Sequence, residues 1–321
     1  MEVFFRCNNS TSITFLLIIT TSSSENYHNS FLNEIGGGEK LGATQIRRIA
    51  MNIARLDDKL IIVSQEVGAS VYDFDFDLHF ACSHPHILES EERCVLRIGP
   101  IVDYAVEYEE KQNINLRLIN SPAEHARASE LEVWYPLIKD LTPRTMIFDA
   151  LPTAEEIEAN FSWPVFLKGS RQTSKHNPEL SVIPGRMHYE SVADRYLNDP
   201  ILCWQKPVVR EFIPLVPVAG QVPGKVRPSL EYRSFWWHGA CVGWDRYWYQ
   251  IPPYESPDVA DGFTVASQVA KSLNVPFLVV DVAKTMAGRW IAIECNDAQE
   301  SGYASIPPYE LWRKILALVV Q

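Results

Sequence analysis

The chain is predicted to be a mixed α/β (α+β) protein of more than one lobe, and three observations predict it. At 321 residues it exceeds the size at which one hydrophobic core keeps growing. Over residues 58–143 strand-like runs alternate with helix-like ones. Two hairpin-like strand pairs follow, SLEYRSFWWHGACVGWDRYWYQIPP and VPFLVVDVAKTMAGRWIAIECND.

Composition narrows the class. Hydrophobic content of 46% with 21% charged residues is that of an ordinary globular protein. A net charge of -11 argues against a general binder of nucleic acid or of anionic membranes. Six cysteines without CxxC spacing read as reduced thiols, so a cytoplasmic location is expected. The apolar run Ile13 to Thr20 is far shorter than the roughly 20 residues of a membrane helix. It lacks a basic leader and a small-residue cleavage site, and a buried strand is expected there.

The first 57 residues are poorly assigned. They hold that strand, a triple glycine (Gly36 to Gly38) and a helix-like run, LGATQIRRIAMNIARL. The glycines read as a connection, with a phosphate cradle as the alternative. Residues 58–143 form a small α/β lobe with strands in KLIIVSQEV, CVLRIGPIV and INLRLIN and a helix in AEHARASELEVWYPLI. Ser121 suits the N-cap of that helix and Pro122 its first position.

Residues 144–321 carry the chemistry. SWPVFLKGSRQTSKH is a short strand ending in Lys168, then a loop with Gly169, Ser170, Arg171, Thr173, Ser174 and Lys175. Its amides, hydroxyls and lysines suit a polyphosphate, or form a solvated basic loop. KPVVREFIPL offers backbone groups that can meet a purine edge, with Glu211 nearby, or is an edge strand stopped by Pro214. Glu231 and Arg233 share a strand face, so the arginine can be held by the glutamate and aimed at phosphate oxygens. The surrounding aromatics are expected in the core. Glu294 and Asn296 share a face with Cys295 turned away, and Asp281 closes the preceding strand, joined through the turn TMAG. Those three oxygen donors suit magnesium (Mg²⁺); the alternative is a polar hairpin end. The chain has neither a GxxxxGK phosphate loop nor a Ser-His-Asp pattern. YELWRKILALVV reads as a final helix, leaving no room for another catalytic domain after it.

In this order FLKGS, REFIPL, EYRSFWW, FLVVDVA and AIECND resemble the ATP-grasp superfamily over roughly residues 144–321, and look most like its compact bacterial and phage members of peptide-ligase type. Residues 58–143, ending in LINSPAEHA and DLTPRT, resemble the small domain that precedes the nucleotide domain there. The resemblance implies two α+β subdomains clasping ATP between antiparallel sheets. It makes Lys168 a phosphate contact beside Ser170, lets Glu211, Phe212 and Ile213 line adenine, and points Arg233 at the γ-phosphate or acyl phosphate. Asp281, Glu294 and Asn296 would bind Mg²⁺. Two departures stand out. Arg144 takes the place of an upstream lysine, and Lys175 supplements a glycine-poor loop. The implied reaction is ADP-forming carboxylate–amine ligation through an acyl phosphate, on a small-molecule or peptide carboxylate with an amine acceptor. A phosphotransferase and a non-catalytic nucleotide-binding protein are the alternatives. Gln299, Ser301 and Tyr303 are expected to border the acceptor pocket.

Overall fold

The computed structural model describes residues 51–65, 74–99, 101–173 and 177–319. The strand expected at 13–20, the triple glycine and Lys175 lie outside them. The chain enters at β1 (Met51–Leu56), which turns through Asp57 and Asp58, both at positive φ, into β2 (Leu60–Gln65). This corrects the helix expected in LGATQIRRIAMNIARL, whose last six residues are β1. The boundary expected between residues 57 and 58 therefore falls inside a hairpin turn.

The first sheet adds β3 (Cys82–Ser83), β4 (Glu92–Arg97) and, after helix α1 (Tyr104–Gln112), β5 (Leu116–Leu118). Its order is β3-β1-β2-β4-β5, antiparallel at β3/β1 and β1/β2 and parallel at β2/β4 and β4/β5. Both faces are covered, which explains the unbroken apolar run LIIV. Ile61 and Val63 pack with Cys94, Leu96 and Tyr104, while Leu60 and Ile62 pack with Phe235, Phe277 and Trp312.

The segment read as one helix is two, α2 (Pro122–Ser129) and α3 (Leu131–Ile138). Ser121 is the N-cap of the first and Pro122 its first residue, as expected, and the structure adds a capping box with Glu124. Glu130 breaks the run with extended backbone (φ -85, ψ 114), and the Leu131 amide instead donates to the Ser170 carbonyl at 3.3 Å. Ala128, Leu131, Trp134 and Ile138 pack with residues of the third sheet and its covering helix.

The second sheet joins β6 (Thr145–Ile147), β7 (Val165–Gly169), β8 (Val182–Ile183) and β9 (Pro207–Glu211) in the order β6-β9-β7-β8, all antiparallel. Helices α4 (Ala154–Glu158) and α5 (Arg186–Asn198) cover one face, burying Ile157, Tyr189, Val192 and Tyr196 against Val165, Leu167 and Val209.

The third sheet is β10 (Glu231–Trp237), β11 (Ala240–Arg246), β12 (Phe277–Lys284) and β13 (Trp290–Asp297), again antiparallel, in the order β11-β10-β12-β13. Helix α6 (Val259–Leu273) packs Ala266, Val269 and Leu273 on one face. The first sheet and α7 (Pro308–Leu318) pack on the other. Buried Asn120 joins first lobe to third sheet, since its amide donates to the Phe277 carbonyl (2.8 Å) and accepts from the Phe277 N–H (2.9 Å). TMAG is the expected turn between β12 and β13, with Gly288 at φ +83, where a side chain is strained.

Candidate functional site

Three neighbouring strands put their charges in one row. Arg233 on β10 is the register partner of Asp281 on β12, which is the register partner of Glu294 on β13. Lys168, on β7 of the other antiparallel sheet, reaches Glu294 with Nζ 3.1 Å from Oε1. The row thus runs cation, anion, anion, cation and ties the two sheets together. Asn296 follows two residues after Glu294, while Cys295 faces the core beneath α6.

The sequence also misplaces two details. Asp281 lies in the middle of β12, which continues to Lys284, and does not close it. The partner of Arg233 is Asp281, not Glu231: Nε donates to Oδ1 at 2.8 Å and Nη2 to Oδ2 at 2.6 Å. Glu231 instead accepts from the Ser229 hydroxyl. Cross-strand register, which an i, i+2 pattern in one strand does not contain, makes the choice. Arg233 also donates to the Gly302 carbonyl (2.8 Å) and lies 4.8 Å from the Tyr247 ring centre. Burial pulls its pKa down, but attraction and hydrogen bonding to Asp281 outweigh that and hold the guanidinium charged. Burial pushes the Glu231 carboxyl up to about 7.

A bulge aims Glu294. The register shifts between Asp281 opposite Glu294 and Val282 opposite Ala292, leaving Ile293 as the extra residue. Arg210 on β9, which sequence reading missed, holds this bulge. Its Nη1 donates to the Ile293 carbonyl at 2.7 Å, Nε to Thr145 Oγ1 at 3.1 Å and Nη2 to Thr142 Oγ1 at 2.5 Å. Thr142 Oγ1 in turn donates to the Ala292 carbonyl at 2.9 Å. Burial lowers the Arg210 pKa to about 10. The available signal was an arginine inside the apolar run PVVRE, four-fifths of which is buried in β9.

The remaining candidates divide. Ser170 is buried, with its N–H donating to the Lys206 carbonyl (3.0 Å). The phosphate-loop expectation is corrected at residues 169–172, whose amides are already used within the protein. Gly169 N–H donates to the Gln172 carbonyl, and those of Arg171 and Gln172 both donate to Gln205 Oε1 at 2.8 Å. Arg171 is also turned away from a solvated loop, with Nη2 2.8 Å from His125 Nε2 and Nε 3.4 Å from Glu130. Glu211 is exposed and Phe212 and Ile213 half-buried, at the end of β9 where the chain crosses to the third sheet. There the Val216 N–H donates to the Lys284 carbonyl and the Met286 N–H to that of Pro214, each at 2.8 Å. Arg144 sits beside this crossing: its carbonyl accepts from the Glu211 N–H at 2.9 Å, and its exposed guanidinium lies 5.0 Å from the Phe161 ring centre.

Gln299, Ser301 and Tyr303 are buried docking residues and not a pocket wall. Gln299 accepts from the Leu96 N–H (3.0 Å) and donates to the Tyr104 hydroxyl (2.7 Å), and the Ser301 hydroxyl donates to the Asp297 carbonyl (2.9 Å).

Among the described residues no group of three or more His, Cys, Asp or Glu side chains forms a metal cage. Two carboxylates and an amide on adjacent strands nevertheless fit Mg²⁺, which keeps several waters and binds through one or two carboxylates plus phosphate oxygens. Also among the described residues, no helix is long and apolar enough to cross a membrane.

Residues 162–315 match a family described as an ATP-grasp domain, the third family of its clade. The chain has the ATP-grasp fold. One solved structure agrees on the fold. A RimK domain protein ATP-grasp from Sphaerobacter thermophilus is 14% identical, with a TM-score of 0.50 over 71% of this chain and 81% of that one. The VanG D-Ala:D-Ser ligase from Enterococcus faecalis is also 14% identical, with a TM-score of 0.49 over 71% and 73%. Comparison with curated protein sequences finds no match. In this fold the second and third sheets meet at the Lys168–Glu294 pair.

Proposed function

We propose that this protein is an ADP-forming, ATP-dependent ligase of the cytoplasm that joins a carboxylate to an amine. The observation that carries the reading is the Lys168–Glu294 pair, set between two antiparallel sheets next to the buried Arg233–Asp281 pair. The row supplies fixed charges of both signs where phosphoryl transfer needs them, and little acid–base chemistry is asked of the protein.

In this reading Glu211, Phe212 and Ile213, on the crossing between the sheets, line adenine. Lys168, with Ser170 behind it, Arg144 and Lys175 face the phosphates, and Arg233, fixed by Asp281, faces the transferring group. Asp281, Glu294 and Asn296 would hold Mg²⁺, which when bound neutralises charge on the phosphate oxygens. A substrate carboxylate oxygen attacks the γ-phosphorus and the bond to the β–γ bridging oxygen breaks, its electron pair leaving with ADP. The amine nitrogen then bonds to the acyl carbon, the acyl C–O bond breaks with its electrons on phosphate, and the amine proton passes to phosphate or solvent. Arg210 fixes the bulge that points Glu294 inward, so it positions a ligand without touching substrate.

The test is ADP release with Mg-ATP and a panel of amino acids and short peptides. Turnover that needs both a carboxylate and an amine, with phosphate and an amide as the other products, supports the ligase. A stable phosphorylated product from one acceptor makes it a phosphotransferase, and AMP with pyrophosphate overturns the acyl-phosphate route. Lys168→Ala is expected to lower turnover by about 10²–10³, the usual effect of removing one such charge contact, and because the Lys168 side chain is buried and paired with Glu294, thermal unfolding checks that the variant remains folded.

A further inference from the structure

A polar surface groove lies away from the charge row. It is open to solvent, holds about 390 Å³ and is lined by Arg93, Arg117, His238, Glu124 and Asn274, with Ile119, Val275 and Pro276 among its apolar wall, and Arg93 and Arg117 are both exposed. Pro276 precedes Asp281 by five residues, which in extended chain is roughly 17 Å.

Arg93 and Arg117 are register partners on the parallel strands β4 and β5, so their side chains leave the same face of the sheet about 4.8 Å apart at the backbone. Like charges directly opposite each other are destabilising unless something lies between them. Compensation from the protein is weak. Arg117 lies 3.5 Å from Glu91, with both side chains about half exposed, a geometry of small worth. The one carboxylate on the groove wall, Glu124, is occupied at Oε2 by the Ser121 N–H and hydroxyl, each at 2.7 Å. Arg127 adds a third cation beside the rim, donating to the Leu273 carbonyl at 3.2 Å. Burial and nearby Arg93 hold the His238 imidazole below the usual histidine range, the direction expected beside unneutralised positive charge.

We propose that this groove binds a phosphomonoester, its phosphate between the Arg93 and Arg117 guanidiniums and its organic part against Val275 and Pro276. A phosphomonoester brings nearly two negative charges and three acceptor oxygens, enough for two guanidinium forks, where a single carboxylate satisfies one. The volume leaves room beyond the phosphate for a small organic body, since a water molecule takes about 30 Å³. The site is independent of the ligase reading, because none of its residues belongs to the charge row.

The experiment is calorimetric titration of the full chain with glycerol 3-phosphate, inorganic phosphate and succinate, without nucleotide. Glycerol 3-phosphate is expected to bind most tightly, to weaken at least tenfold in Arg93→Ala/Arg117→Ala, and to weaken also in Arg117→Lys, which keeps charge but not the fork. Thermal unfolding of the exposed-site variants checks that they remain folded. Lys168→Ala is expected to leave this binding unchanged, which separates it from any phosphate contact at the charge row. Unchanged affinity in the double variant, tighter binding of succinate or of inorganic phosphate, or no saturation by about 10 mM overturns the proposal.

Discussion

Replacing Arg233 by methionine isolates the energetics of the charge row. The Asp281 side chain is 1% exposed and that of Arg233 is 7%, so the substitution leaves a carboxylate buried with neither of its two guanidinium bonds. Breaking a buried pair from one side costs about 3–5 kcal/mol, because the survivor keeps its desolvation penalty without its partner. Arg233 also loses its bond to the Gly302 carbonyl, worth about 1 kcal/mol. Its contact with the Tyr247 ring adds about 0.5–1 kcal/mol. At 2–4 °C per kcal/mol the melting temperature is expected to fall by roughly 9–28 °C. The decisive comparison is Arg233→Met/Asp281→Leu, which removes the stranded charge and is expected to recover all but about 1–2 kcal/mol of the loss. Urea unfolding of the wild type, both single variants and the double variant closes the cycle. A single-variant cost below about 1 kcal/mol, or a double variant no more stable than Arg233→Met, refutes the buried-pair argument.

Two further predictions concern neighbours of this row. The folded-state pKa of Glu231, about 7, stands above its ordinary 4.5 because burial disfavours the carboxylate, so the folded protein binds the proton more tightly. The resulting stability is complete below about pH 4.5 and is lost as pH rises through about 7, on the order of 3 kcal/mol in all. Glu231→Gln keeps an acceptor for Ser229 and is expected to remove that slope when unfolding free energies are measured from pH 4 to 8; an unchanged slope counts against it. At Gly169 an added Cβ would stand 2.3 Å from Gln205 Oε1, the acceptor for the Arg171 and Gln172 amides. Gly169→Ala is therefore expected to cost about 2 kcal/mol or more through the displaced amides, and thermal unfolding within about 0.5 kcal/mol of wild type would show that the loop adapts.

What the sequence determined about this protein was local. The alternation in AIECND places Glu294 and Asn296 on one face with Cys295 opposite, since a strand's period of two is a property of the backbone. The N-cap at Ser121 and the TMAG turn were legible for the same reason: each is decided within four or five residues. The order of the five motifs was enough to point to the nucleotide fold. The tertiary structure decided what depends on distant chain. MNIARL has no strong local preference and becomes β1 because β2 and β3 pair with it. Arg233 takes Asp281, 48 residues away, and not Glu231 beside it, because register sets which side chains meet across a sheet. The bulge at Ile293 and the arginine that holds it belong to different sheets, 83 residues apart, and no window along one strand contains both.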